Sequence, residues 1–128
     1  MKKFLNLIIV AISAATVLSG LTQMVAPKFV LGFIGGQITP AAAHFFSIIG
    51  MFMVLFGGLM LHTIYSAVPA RAAILWCAFQ KLGAFVAVGL GIINGIFSFL
   101  AIGVALFDLF SGILFLYYLK CGKFDETY

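Results

Sequence analysis

Three side chains stand out as equipped for chemistry in a chain that otherwise offers little of it. Gln80 and Lys81 are adjacent in the apolar stretch "ILWCAFQKLGAFVAVGLGI", and Asp108 sits in "FDLFSGILFLYYL". An amine, a carboxylate and a carboxamide are the parts of a proton or ion relay, of a headgroup-binding locus, or of a structural ion pair. Between them lies Asn94-Gly95, a turn-forming dipeptide. Lys81 is 13 residues before Asn94 and Asp108 is 13 residues after Gly95. On two antiparallel helices rising about 1.5 Å per residue, the two charges come to the same depth. A lone charge at mid-bilayer costs about 2.5–3.5 kcal/mol on insertion scales, and pairing offsets most of it. The sequence therefore predicts an intramembrane Lys81–Asp108 ion pair, with Gln80 placed to donate to the same carboxylate. A relay ordinarily needs a chain of titratable groups, and no second acid accompanies Asp108. Fixing the register of a helical hairpin is the simpler role, because removing one partner strands the other charge.

The two histidines define a second candidate site. His44 and His62 are 18 residues apart, five helical turns, which places them on one face about 27 Å from each other. One imidazole near each membrane boundary is a way for a helix to offer axial ligands to two tetrapyrroles, chlorophyll-type pigment or haem, one per leaflet. Gly58, one turn before His62, leaves room for a flat ring. A single bis-histidine haem is excluded, since two ligands this far apart on one helix cannot reach one iron. The plainer reading makes both histidines amphipathic residues at the interfaces, and lipid is the remaining candidate ligand.

The elements that must position these groups are membrane helices. With 65% hydrophobic and 8% charged residues and a mean hydropathy of +1.28, too few polar groups exist to solvate a globule of 128 residues. The expected fold is all-α, one polytopic four-helix bundle forming a single transmembrane domain, 1–128. Spans are expected at about 4–24, 41–65, 70–93 and 97–119. Pro27 ends the first, Thr39 and Pro40 open the second as N-cap and first helical residue, and "SAVPAR" and "INGIFS" separate the rest. The apolar loop 25–40 is expected to lie in the interface as a short amphipathic or re-entrant segment. The start "MKKFLNLIIVAISAATVLSG" has the layout of a signal peptide, and we read it as the first helix.

Small and polar residues mark the expected seams. Ala43, Gly50 and Gly57 repeat at seven, and Gly83, Ala87 and Gly91 repeat at four, both close-packing patterns. Cys77, Ala78 and Ala84 surround Lys81; Ala101, Ala105, Ser111 and Gly112 surround Asp108. Asn6, Ser13, Thr16, Gly20 and Gln23 draw a polar stripe along one face of the first span. With 15 phenylalanines, the exterior is bulky and suits docking against other membrane helices.

Cations set the orientation. Lys2, Lys3, Arg71, Lys120 and Lys123 share one side and Lys28 holds the other, so both termini are expected to be cytoplasmic. The formal charge of +4 is thus a topology signal; no soluble basic face for nucleic acid exists. Cys77 and Cys121 form no disulfide framework, and Cys121, at the cytoplasmic face, reads as a bystander thiol ahead of a lipidation site. No phosphate loop, HExxH, CxxC or nucleophile elbow is present.

The pattern of four spans, "HFFSIIGMFMVLFGG", "QKLGAF" and "FDLFSGILFLYYL" resembles small bacterial membrane proteins, broadly the DoxX-like group, with Lys81, Gly83 and Asp108 as the residues that carry the likeness. That group has no agreed activity, so the resemblance implies the fold and little else. The expected role is non-catalytic, either an accessory subunit of a larger bacterial inner-membrane assembly, bioenergetic or pigment-containing, whose partners are the bilayer and other membrane subunits, or a free-standing membrane protein. The alternative is a minimal transporter or proton-linked channel using Lys81 and Asp108.

Overall fold

A computed structural model describes residues 2–121. Within them lie five helices, α1 (Lys2–Val25), α2 (Pro27–Phe33), α3 (Pro40–Tyr65), α4 (Arg71–Ile93) and α5 (Ala101–Cys121). All but α2 are long and apolar enough to cross a membrane. Lys123, one of the cations that set the expected orientation, lies outside the described residues.

Helix boundaries follow local chemistry. Pro27 removes one backbone donor and starts α2 after a one-residue break at Ala26. Thr39 caps α3, its hydroxyl accepting from the Ala42 amide at 3.0 Å, with Pro40 at the first helical position. The α3–α4 link is closed by a side chain from the preceding helix. Ala70, the N-cap of α4, has no oxygen to offer, and its amide instead donates to the Thr63 hydroxyl at 2.7 Å. Pro69 therefore lies just outside α4, next to its N-cap.

Two antiparallel pairs make up the bundle. In the first, α1 lies on α3 so closely that a Cβ added to Gly20 would sit 2.6 Å from the Gly50 carbonyl oxygen, and one added to Gly50 would sit 2.7 Å from that of Gly20. Further along, Gly57 faces Val17 and the Ser13 carbonyl. Gln23 Nε2 donates to the Phe46 carbonyl at 2.8 Å and Ser47 Oγ to that of Met24 at 3.2 Å. Backbones this close gain dispersion contact where no hydrophobic force separates lipid from helix. In the second pair, Gly112 of α5 receives the Leu82 side chain of α4, and Arg71 Nη1 donates to the Leu119 carbonyl at 3.4 Å, near the negative end of the α5 dipole.

The fourth span begins later than the turn signal implied. Asn94 caps α4, Gly95 takes φ +72°, and α5 starts only at Ala101. The intervening residues fold back: the amides of Ile96 and Phe97 both donate to the Gly91 carbonyl, and the Phe97 ring covers Gly91. This turn is the seat of α2. Ile34 accepts from the Ser98 amide at 2.8 Å and from its hydroxyl at 3.1 Å, while Leu31 and Ile34 are buried against Ala101. Gly35, at φ +78°, touches Ser98, where a Cβ would come within 2.6 Å. The apolar loop is thus a helical latch joining the two pairs.

Two apolar layers result. One, with Ile9, Met60, Ile74 and Phe115, fills the end where α1 and α4 begin; the other, with Leu31, Ile34 and Ala101, fills the opposite end.

Candidate functional site

Between those layers is a polar clasp built from three helices. The polar stripe of α1 turns inward, with Ser13, Thr16 and Gln23 buried. Lys81 of α4 and Asp108 of α5 are 4% and 8% exposed, and their side chains form a salt bridge of 3.3 Å between Nζ and Oδ1. The shorter bond from the same ammonium, 2.7 Å, goes to the Thr16 hydroxyl, which itself donates to the Ile12 carbonyl at 2.9 Å. The Phe107 ring centroid lies 5.1 Å from Nζ, within range of a cation–π attraction. One ammonium therefore ties α1, α4 and α5 together.

Register explains why these residues meet. Ala78 and Leu82 of α4 face Gly112 of α5, so the helices are in close contact one turn beyond Asp108, where small side chains flank the long lysine. Compactness of 96–100 preserves the matched depth even though those residues are not α-helical.

Gln80 does not join the carboxylate as expected. One residue before Lys81, it stands about 100° round the helix from it, and no hydrogen bond joins it to Asp108. It is half-buried and lines a cavity of about 10 Å³ with Ser13, Thr16, Cys77 and Lys81. The Cys77 thiol is buried and donates weakly to the Phe56 carbonyl at 3.7 Å.

The glycines separate into two groups. Gly50 and Gly57 lie in the α1–α3 seam. Gly83, expected at a seam, is exposed with no atom within 4 Å of an added Cβ, because the face of α4 that meets α5 carries Ala78 and Lys81 instead. Gly91 seats the Phe97 ring, a loop side chain, and not a neighbouring helix. His44 and His62 are both exposed on the outer surface of α3, His44 edge-on to Phe45 at 6.5 Å between ring centroids. Space is open beside Gly58. Among the described residues, no group of three or more His, Cys, Asp or Glu is placed to hold a metal ion.

Sequence reasoning overlooked Thr16 as the partner of Lys81 and Ser13 as a special hydroxyl. Both were on the α1 stripe, but that the Lys81 side chain reaches across to α1 is a fact of tertiary arrangement. Comparison of the chain with protein-family models, with curated proteins and with solved structures found no match.

Proposed function

We propose that this is a four-span protein of the bacterial inner membrane, both termini cytoplasmic, acting without catalysis as an accessory subunit of a larger membrane assembly. The observation that carries the reading is the disposition of the clasp. The ion pair is closed off along the bundle axis by an apolar layer on each side, and the ammonium is spent on partners that hold helices together. A pair so placed supports the bundle and offers no continuous polar route. Support for the orientation comes from Lys3, Arg71 and Lys120 gathering where α1 and α4 begin and α5 ends, against Lys28 at the start of α2. Large exposed apolar side chains such as Phe45, Phe52, Trp76 and Phe110 suit contact with lipid and neighbouring helices. The DoxX-like resemblance agrees with this reading at the level of fold.

Two measurements test the proposal. Lys81→Met alone leaves a buried carboxylate unpaired and is expected to cost about 3–5 kcal/mol, while Lys81→Met with Asp108→Leu restores the fold. Restored growth phenotype together with restored fold fits a structural pair; restored fold with lost phenotype favours the transporter reading. Mild detergent extraction followed by mass analysis is expected to recover partner membrane subunits in fixed ratio, and recovery of the protein alone would refute the accessory role.

A further inference from the structure

One end of the α4–α5 seam carries two cations at the head of an apolar cleft. On α4, Arg71, Leu75 and Phe79 follow at intervals of four, and on α5, Ile113, Leu116 and Lys120 follow at three and four, so each set lines one face of its helix. Both faces border the seam. Arg71 Nη1 reaches the Leu119 carbonyl at 3.4 Å, and Leu82, one turn beyond Phe79, packs on Gly112. This antiparallel register sets Arg71 level with Lys120, Leu75 with Leu116, and Phe79 with Ile113. Leu75 and Leu116 are half-buried against the apolar core and form the floor; Phe79 and Ile113, 44% and 56% exposed, form the walls. From Arg71 to Phe79 the cleft runs about 12 Å at about 1.5 Å per residue, which keeps it within one leaflet of about 15 Å.

The cations are uncompensated. Arg71 and Lys120 are exposed, and the one bond from the guanidinium goes to a neutral carbonyl. Among the described residues the sole carboxylate is that of Asp108, which is buried against Lys81. A guanidinium presents its donors in a planar fork that fits two phosphate oxygens. Each Lys or Arg near a membrane surface favours an anionic lipid by about fivefold.

We propose that the α4–α5 cleft binds one anionic phospholipid, its phosphate held by Arg71 and Lys120 and an acyl chain lying over Leu75 and Leu116 between Phe79 and Ile113. Two cations alone would take a free phosphate; the apolar floor directly below them selects an amphiphile. The lack of a nearby carboxylate selects an anionic headgroup over a zwitterionic one, whose own ammonium would find two like charges and no partner.

This inference rests on α4 and α5 crossing the bilayer and not on the accessory role. The test is to reconstitute the full chain in nanodiscs holding equal amounts of phosphatidylglycerol and phosphatidylcholine with identical acyl chains, and to count by native mass spectrometry the lipids that stay bound on release. One phosphatidylglycerol per chain, retained at least about fivefold over phosphatidylcholine, is expected. The preference should fall to near parity in Arg71→Gln with Lys120→Gln and stay at the wild-type level in Lys28→Gln, which alters the opposite end. Ile113→Trp fills the cleft while keeping both cations, and is expected to lose the retained lipid. Equal retention of the two lipids in the wild type overturns the proposal, as does a preference that survives the double substitution or Ile113→Trp. Should the double variant fail to fold, Lys120→Gln alone decides: a preference lowered about fivefold supports the site, and an unchanged one overturns it. A chain that does not enter nanodiscs refutes the spans and this proposal together, whereas entry without lipid preference refutes this proposal alone.

Discussion

Adding one methyl group is expected to have opposite effects at two glycines that look alike in sequence. At Gly50 the new Cβ would stand 2.7 Å from the Gly20 carbonyl oxygen, 3.0 Å from Gln23 Cβ and 3.1 Å from the Met24 amide nitrogen; ordinary contact begins at 3.4 Å, so α1 must retreat by about 0.7 Å. Two of those three atoms are backbone, and neither can turn aside. Overpacking of this kind costs about 1–3 kcal/mol, and stretching the Gln23–Phe46 hydrogen bond adds up to about 1 kcal/mol. Helix propensity returns about 0.8–1 kcal/mol for alanine over glycine, leaving Gly50→Ala less stable by about 1–2 kcal/mol. At Gly83 nothing stands within 4 Å, so Gly83→Ala keeps the propensity gain and is neutral or more stable by up to about 1 kcal/mol. Reversible unfolding in mixed micelles of rising sodium dodecyl sulfate content, followed by far-ultraviolet circular dichroism, measures both. A gap of about 2 kcal/mol between the variants, more than tenfold in the folding equilibrium, is expected. Equal stabilities, or Gly50→Ala the more stable, would refute the seam.

Other consequences are simpler to check. Thr16→Val removes the shortest bond to the Lys81 ammonium and is expected to cost about 1.5–3 kcal/mol by the same unfolding assay; no loss would mean that Asp108 alone holds the lysine. Gly35→Ala places a Cβ against Ser98 at positive φ, so it should free α2 from the α4–α5 turn and speed deuterium uptake at the Ser98 amide. Uptake unchanged from wild type contradicts the latch. Cys121 is exposed and Cys77 buried, so with cytoplasmic termini a membrane-impermeant maleimide labels Cys121 only after permeabilisation. Labelling in intact cells reverses the orientation. If His44 or His62 ligates a tetrapyrrole, visible absorbance co-purifies and is lost in His44→Ala or His62→Ala; colourless protein from gentle extraction eliminates that ligand.

Much of the architecture was legible because apolar length, proline and capping are local signals. Thr39 and Pro40 mark the start of α3 in the sequence as they do in the fold, and the 13-residue spacings about Asn94-Gly95 place Lys81 opposite Asp108. Seams were legible only where a glycine had to meet another backbone. Gly50 and Gly57 do so, but Gly83 belongs to an equally regular repeat and faces outward, since periodicity identifies a face without saying what lies against it. The same ambiguity hid Thr16. Its place on a polar stripe was plain, yet the choice between α3, α4 and α5 as the helix opposite it depends on how two pairs dock. The docking rests on Ile34 and Ser98, 64 residues apart, which no local pattern connects. Gln80 failed for a finer reason: one residue along a helix is about 100° of rotation, enough to part its amide from the carboxylate that Lys81 reaches.

The two bonds of Lys81 also differ in time. Thr16 precedes it by 65 residues and Asp108 follows it by 27. In a chain that enters the membrane in order of synthesis, α4 arrives with its charge before α5 exists. If insertion follows that order, the Thr16 hydroxyl on α1 is the one of the two partners already made when the ammonium arrives, and the carboxylate is added last.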